Sequence, residues 1–183
     1  MPTLELIYGP MFAGKSCELI RRIRLLKVLN KKYCVVKPQI DTRYDSESIV
    51  SHNKESEQCI KLESMNSIYS IDISIIDTIF IDEGQFFSDL KDVVIDLVEN
   101  HNKNVVVAGL ITDYHRNKFG QILDLIPFCD KSTQLNALCL YCMDGTPAIF
   151  SYRKQNINTD QILIGEKDVY ISICRKHLLD LSV

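Results

Sequence analysis

The stretch from Ile7 to Ser16 limits the possible folds more than any other part of the sequence, because it matches a phosphate-binding loop. The pattern is Gly-x-x-x-x-Gly-Lys-Ser, with Gly9, Gly14, Lys15 and Ser16 at the fixed positions. In such loops the backbone N–H groups surround phosphate oxygens, the lysine contacts the outer phosphates, and the serine hydroxyl can bind Mg²⁺. The motif therefore predicts a polyphosphate site.

The residues on both sides of the loop support this prediction. The segment 3–8 alternates polar and apolar residues as a strand does, and Leu19, Ile23 and Leu26 follow the loop at helical spacing. The phosphates would then lie at the N-terminus of a helix, where unpaired N–H groups and the helix dipole favour anions. The alternative is a glycine-rich turn that contains a lysine by chance.

Predicted strands alternate with predicted helices over the first 138 residues. The strands are expected at 33–36, 77–81, 105–108 and 134–139, a helix at 90–98, and a shorter helical segment at 120–126 before Pro127. The polar segment 45–58 is interpreted as a mobile loop or lid. This order predicts a P-loop NTPase-type, doubly wound parallel α/β sheet, whose ligands bind at the carboxyl ends of the strands.

The character of the sequence changes at Cys139. Short β-like pieces at 148–152, 161–164 and 170–173 are separated by polar turns, which predicts a small appended β domain. We therefore expect a phosphate-loop α/β domain over 1–138 and a second, smaller domain over 139–183.

Four residues of the second segment have the spacing of metal ligands. Cys139-x-x-Cys142 and Cys174-x-x-His177 form two half-sites, and such a set suits a tetrahedral Zn²⁺ site. Because four protein ligands leave no position for a catalytic water, the expected zinc is structural. The alternative is that these are reduced cysteines used as small apolar residues, with a surface histidine.

Composition excludes several other classes of protein. The chain has 21 basic and 24 acidic residues and a net charge of −3, so charge alone implies no attraction to nucleic acid. The N-terminus does not have the pattern of a signal peptide, and no stretch approaches 18 consecutive apolar residues. We expect a cytoplasmic protein, in the host cytoplasm if the source is viral, that binds neither nucleic acid nor membranes.

Two carboxylates follow the predicted strand that ends at Ile81. Asp82 is expected beside the phosphate loop, where it can hold the Mg²⁺ shared with Ser16. Glu83 would face the acceptor and could take the proton from an attacking hydroxyl during phosphoryl transfer. The alternative is a polar strand terminus with no chemical role.

Together the motifs resemble those of the type II thymidine kinase family, the zinc-containing kinases of animals, bacteria and large DNA viruses. The resemblance covers nearly the whole chain, and its most specific combination is the phosphate loop together with Asp-Glu-Gly-Gln-Phe-Phe at 82–87. Other matches are Asp41-Thr-Arg43, Ala108-Gly-Leu110, Leu125-Ile-Pro127 and the Cys/Cys/Cys/His set.

The resemblance implies ATP with Mg²⁺ as the phosphoryl donor and the 5′-hydroxyl of thymidine or deoxyuridine as the acceptor, giving dTMP for nucleotide salvage. It implies that Glu83 is the catalytic base and that Arg43 and Lys15 act on the transferred phosphoryl group. The residues it implies for ATP and Mg²⁺ are Gly9, Pro10, Met11, Phe12, Ala13, Gly14, Lys15, Ser16, Asp82 and Gln85.

The same resemblance implies a nucleoside pocket covered by a loop of the zinc-binding domain, the lasso loop. The residues implied for this pocket are Met11, Phe86, Leu110, Tyr114, Phe119, Ser151, Leu163, Gly165 and Tyr170. Homotetramers and feedback inhibition by dTTP are further properties that the family implies. The segment 111–118 and Glu166 depart from the family pattern on the acceptor side.

Three other readings remain open from the residues. A deoxynucleoside kinase with altered preference would share every donor-side motif. A phosphate-loop ATPase or switch protein would need an ordered water where the acceptor lies, whereas the aromatic residues at 86, 87, 114, 119 and 170 favour a nucleoside slot. A zinc-ribbon nucleic-acid binder would need basic residues clustered beside the cysteines, and few occur after Cys139.

Overall fold

A computed structural model describes residues 1–41, 48–50, 56–154 and 169–181. The helices are α1 (Lys15–Val28), α2 (Leu90–Glu99) and α3 (Arg175–Asp180). The strands are β1 (Leu4–Tyr8), β2 (Tyr33–Pro38), β3 (Ser48–Val50), β4 (Ser56–Gln58), β5 (Ile60–Leu62), β6 (Thr78–Ile81), β7 (Asn104–Gly109), β8 (Lys131–Gln134), β9 (Ala137–Leu138), β10 (Pro147–Ala148), β11 (Phe150–Arg153) and β12 (Tyr170–Ile173). Short 3₁₀ helices cover Met65–Ser70, Ile73–Ile75, Gly84–Phe86 and Ile122–Phe128.

Within the described residues, six strands form the main sheet in the order β5-β2-β6-β7-β1-β8, and every pairing in it is parallel. The predicted α/β class with a parallel sheet is therefore confirmed. The carboxyl ends of β1, β6 and β7 are adjacent, which brings the phosphate loop, Asp82 and Leu110 to one edge of the sheet.

Alternate side chains of each strand point to opposite sides of the sheet, and apolar side chains of other elements cover both sides. Ile7 and Ala108 pack with Leu19, Ile20 and Ile23 of α1 on one face. On the other face, Leu6 and Val107 belong to a larger core that contains one side of α2. Each helix thus packs its apolar side against the sheet.

The C-terminal segment has two small antiparallel sheets of its own. β9 pairs with β10, and β11 pairs with β12. A separate apolar cluster lies here, which we call the small core, and it consists of Ala137, Cys139, Ala148, Ile171, Ile173, Cys174 and Leu178. Phe12 and Ala13 of the phosphate loop pack against it.

Three predicted elements differ from the structure. The predicted strand at 134–139 is two strands in different sheets, because Leu135 N–H bonds to Tyr8 O and the chain then leaves the main sheet. The predicted piece at 148–152 is likewise divided between β10 and β11. The helical segment before Pro127 continues through that proline as a 3₁₀ helix, in which a proline near the end removes only one hydrogen bond.

Part of the predicted polar loop is also ordered into strands. β3 and β4 form a hairpin, and β5 adds the edge strand of the main sheet, which the sequence did not indicate. The hairpin is anchored by a buried carboxylate, Glu57, which binds Lys27 Nζ at 2.7 Å. Because this anchor is an ion pair, apolar periodicity gave no sign of it.

None of the helices in the described part of the chain is both long and apolar enough to span a bilayer.

Candidate active site

The phosphate loop joins the end of β1 to the start of α1. Lys15 is almost fully buried, and its Nζ donates to the carbonyl oxygens of Pro10 at 2.8 Å and Gly9 at 3.2 Å. The ammonium group therefore lies inside the curve of the loop, where the outer phosphates of a nucleotide are expected.

Close packing explains the first glycine of the motif. A Cβ atom at Gly9 would lie 2.2 Å from the backbone oxygen of Leu135, where the chain leaves the main sheet. No side chain fits at this position unless the loop or the end of β8 moves.

Ser16 and Asp82 meet beside the loop. Ser16 Oγ donates to Asp82 Oδ2 at 2.9 Å, and Glu83 N–H donates to Asp82 Oδ1 at 3.0 Å. Desolvation, and after it the neighbouring Glu83 carboxylate, raises the pKa of Asp82. A hydroxyl and a carboxylate are hard oxygen donors of the kind Mg²⁺ takes together with phosphate oxygens, so these two residues fit a magnesium ion bound with ATP.

Glu83 lies at the turn after β6 with φ of 51°, a left-handed conformation that is uncommon for a residue with a side chain. Its Oε2 accepts a hydrogen bond from Gln85 Nε2 at 2.5 Å. Gln85 is buried, and its Oε1 accepts from Leu110 N–H at 2.9 Å. The Gln85 amide thus connects the ends of β6 and β7 and orients Glu83, although the sequence pattern placed it with the ATP and Mg²⁺ residues.

Aromatic residues predicted for the nucleoside pocket lie in two groups. The rings of Phe86 and Phe119 pack edge to face with centroids 5.5 Å apart. The Tyr114 ring lies under the guanidinium of Arg153 at 3.9 Å from its centroid, and Arg153 in turn donates to the Tyr170 hydroxyl at 2.6 Å. Arg153 is therefore the link between Tyr114 of the β7 side and Tyr170 of the C-terminal segment.

Ser151 contacts the phosphate loop directly. Its Oγ accepts a hydrogen bond from Met11 N–H at 2.9 Å, and Ser172 Oγ donates to Met11 O at 2.7 Å. The predicted nucleoside residues Met11 and Ser151 are thus neighbours.

The two metal half-sites come together as predicted. Sγ–Sγ and Sγ–Nδ1 distances in the cluster include 3.8 Å for Cys142–Cys174, 3.5 Å for Cys139–His177 and Cys142–His177, and 3.3 Å for Cys174–His177. Tetrahedral zinc with ordinary bond lengths requires about 3.8 Å between two sulfurs and about 3.5 Å between sulfur and nitrogen. The donor set and spacing therefore fit Zn²⁺.

The thiols of the cluster differ: the surroundings of Cys139 favour its thiolate, whereas desolvation raises the pKa of Cys142 to about 11. Desolvation alone would raise the pKa of the Cys139 thiol, but N–H groups of Cys174, Cys142 and Tyr141 lower it below the ordinary value. Among the described residues this is the one group of three or more Cys, His, Asp or Glu side chains close enough to share a metal. Cys34 is buried in the core, and burial raises its pKa to about 12, so it stays a neutral thiol.

Comparison with known proteins agrees with this geometry. A family model described as "Thymidine kinase" matches residues 2–178. A rice thymidine kinase is 40% identical over 182 residues, which is 97% of this chain and 66% of the rice protein. A thymidine kinase of Bacteroides thetaiotaomicron is 40% identical over 94% of this chain and 85% of its own length, and one of Amsacta moorei entomopoxvirus is 38% identical over 94% and 96%.

The chain belongs to the thymidine kinase family.

Three residues that the family pattern assigns to the site, Arg43, Leu163 and Gly165, lie outside the described residues. The predicted β piece at 161–164 also lies there.

Two side chains of this thymidine kinase family member were missed by the sequence analysis. Ser172 is 1% exposed and Arg153 is 2% exposed, and both contact residues assigned to the site. Ser172 gave no signal, because a single serine in a short β-like piece belongs to no recognisable motif. A lone arginine at the end of an apolar β piece was the available signal for Arg153, since charged side chains are rarely buried unless paired.

Proposed function

We propose that this protein is an ATP-dependent thymidine kinase that transfers the γ-phosphoryl group of ATP to the 5′-hydroxyl of thymidine, giving dTMP. Deoxyuridine is proposed as a second acceptor. Family membership supports the reaction. One observation carries the assignment to this site: Asp82, which accepts a hydrogen bond from Ser16 of the phosphate loop, is followed directly by Glu83 at the end of β6.

Each donor-side residue has a role in the proposal. Backbone N–H groups of the loop 9–16 hold the phosphates, and Lys15 places a positive charge at the transferred group. Ser16 and Asp82 would hold Mg²⁺, which neutralises charge on the phosphates when it is bound with ATP. Arg43 is proposed to add a second positive charge at the transferred group.

Glu83 is proposed as the general base. Its carboxylate would accept the proton of the 5′-hydroxyl as that oxygen attacks the γ-phosphorus. The hydrogen bond from Gln85 to Oε2 fixes the rotation of the carboxylate. Gln85 is therefore proposed to orient the base.

The acceptor side is proposed to be formed by Met11, Phe86, Leu110, Tyr114, Phe119, Ser151, Leu163, Gly165 and Tyr170. The aromatic pairs supply an apolar slot for a flat base. A structural Zn²⁺ held by Cys139, Cys142, Cys174 and His177 is proposed to brace this side. Residues 1–138 and 139–183 are proposed as the kinase domain and the zinc-binding domain, and the small core at 137–178 supports a boundary near this point.

A nucleoside panel tests the function. Purified protein is incubated with ATP, Mg²⁺ and each of thymidine, deoxyuridine, deoxycytidine, deoxyadenosine and deoxyguanosine, and the monophosphates are separated and quantified. We expect dTMP as the main product and dUMP as a lesser one. A different main product would identify a deoxynucleoside kinase with altered preference, and ADP formed without any nucleoside monophosphate would identify an ATPase.

Assembly, regulation and location are proposed from family membership alone. We propose a cytoplasmic homotetramer that is inhibited by dTTP and binds neither nucleic acid nor membranes. Sedimentation analysis and inhibition of dTMP formation by added dTTP test the first two properties.

A further inference from the structure

The backbone of Met11, in the middle of the phosphate loop, is held from outside the loop by two serines. Ser151 Oγ accepts from its N–H at 2.9 Å, and Ser172 Oγ donates to its carbonyl at 2.7 Å. The two serines are direct cross-strand partners in the β11–β12 ribbon. One pair of opposed side chains therefore fixes both backbone polar groups of a single residue.

The conformation of the following residue shows that the loop needs such support. Phe12 has φ of 64°, in the left-handed region that residues with a side chain rarely adopt. Its side chain and that of Ala13 pack against the small core of the C-terminal segment. The apolar contact and the two serine hydrogen bonds act on adjacent residues and come from the same segment, so that segment maintains the strained part of the loop.

The same ribbon is tied to the Cys3His cluster. Leu140, between the first two cysteine ligands, donates its N–H to Ser172 O at 3.1 Å. The third cysteine ligand, Cys174, follows Ser172 by two residues. Ser172 is thus bonded through its backbone to the metal-ligand turn and through its side chain to the phosphate loop.

We infer that Ser151 and Ser172 are positioning residues for the phosphate loop and that they couple the Cys3His cluster to nucleotide binding. The identity of the nucleotide rests on the proposed function, but the coupling itself does not depend on the acceptor. Because coupling between two sites is reciprocal, loss of zinc weakens nucleotide binding and bound nucleotide strengthens zinc binding. We expect the stronger binding to appear as slower release of zinc.

Steady-state kinetics test the positioning role. Ser172→Ala and Ser151→Ala remove one hydrogen bond each, and we expect the KM for Mg-ATP to rise about threefold to tenfold. Ser151→Thr keeps the hydroxyl, so its KM for Mg-ATP is expected to lie closer to the wild-type value than that of Ser151→Ala. Ser70→Ala is the matched control, because Ser70 also donates to a backbone carbonyl at 2.8 Å but is exposed and does not belong to the site. An unchanged KM for Mg-ATP in both alanine variants would overturn the positioning role.

Zinc release tests the coupling without any acceptor. Zinc-loaded protein is mixed with a colorimetric chelator, with and without Mg-ADP, and the rate of zinc release is recorded. We expect Mg-ADP to slow release in the wild type and to lose most of this effect in Ser172→Ala. If Ser172→Ala does not fold, Ser151→Ala compared with Ser151→Thr replaces it.

The outcomes separate the two proposals. Equal release rates with and without Mg-ADP in the wild type, or full protection in the alanine variants, would overturn the coupling. Absence of dTMP formation by the wild type would instead overturn the proposed function and would leave the zinc measurement interpretable.

Discussion

The phosphate loop and the Cys3His segment contribute to one site but are supported in different ways. The loop connects β1 of the main sheet to α1, and apolar side chains cover both faces of that sheet. The C-terminal segment has only two-stranded sheets and a small core in its described part. Paired strands of this size are marginal alone, so the segment depends on its contacts with the loop and on the proposed metal at the Cys3His cluster.

The residues proposed to act on the phosphates and the residues that hold the phosphate loop therefore lie in different regions. Lys15 and Ser16 begin α1, and Asp82 and Glu83 follow β6, so buried residues of the main sheet and α1 fix their backbone. Met11 and Phe12 depend instead on Ser151, Ser172 and the small core. Damage to the C-terminal segment is therefore expected to disturb the loop while the sheet stays intact.

Removal of zinc is expected to cause the largest loss of stability, and this loss is expected only in the C-terminal segment. Structural zinc contributes about 10–16 kcal/mol of apparent binding free energy in small metal-dependent domains. Amide hydrogen exchange after chelation should show lost protection in β9–β12 and retained protection in the main sheet. Equal loss of protection in both regions, or none in either, would contradict the comparison.

Replacement of Lys15 tests the part of the site that the main sheet supports. Lys15→Met keeps the apolar stem but removes the charge, and we expect kcat for thymidine to fall by about 10²–10³-fold because a preorganised positive charge is lost. Lys31→Met, at an exposed lysine after α1, is the matched control. Steady-state rates measure both, and equal rates for the two variants would contradict the role of Lys15.

Substitutions at two glycines compare how tightly the α/β region and the C-terminal segment are packed. Gly120 has φ of 63°, and a Cβ there would lie 2.2 Å from Gln85 O, so Gly120→Ala should destabilise the fold by about 2–4 kcal/mol. Gly145 has φ of 92° but no atom within 4 Å of its Cβ position, so Gly145→Ala should cost only the backbone strain, about 1–2 kcal/mol. Urea denaturation measures both, and a larger loss at Gly145 would reverse the comparison.

The smallest effect is expected from a substitution at Glu18 in α1. Hydrogen bonds from Arg21 and Arg22, against some desolvation, lower the pKa of Glu18 from 4.5 to about 2. Since the pKa is lower in the folded state, Glu18 stabilises the fold above about pH 4.5, and this contribution is lost as the pH falls towards 2. We expect Glu18→Gln to lower Tm by about 1–2 °C at pH 7. Thermal melts at both ends of the range check this, and a difference that grows at low pH would contradict the sign.

The sequence was sufficient for the elements whose side chains repeat with a regular period. β1, α1, β7 and α2 were predicted within a few residues because their apolar faces are covered by the sheet or its helices. β5 and the β3–β4 hairpin were missed because Lys27 and Glu57 hold the hairpin by charge, which leaves no periodic pattern.

Site residues divide in the same way. The phosphate loop and the cysteine pairs have fixed local spacing, so they could be read directly. Ser172 and Arg153 act through partners 161 and 17 residues away, and such contacts exist only after the chain has folded. The orienting role of Gln85 also depends on the meeting of two strand ends that lie far apart in the sequence.

The most direct test of the account is the turnover of Glu83→Gln with thymidine and Mg-ATP. Glutamine keeps the size of the side chain and can still bond to Gln85, but it cannot accept the proton of the 5′-hydroxyl. The account predicts that kcat falls by about 10²–10⁴-fold while Mg-ADP still stabilises the variant against heat as it does the wild type. Turnover of thymidine at the wild-type rate would contradict the assignment of Glu83 as the base.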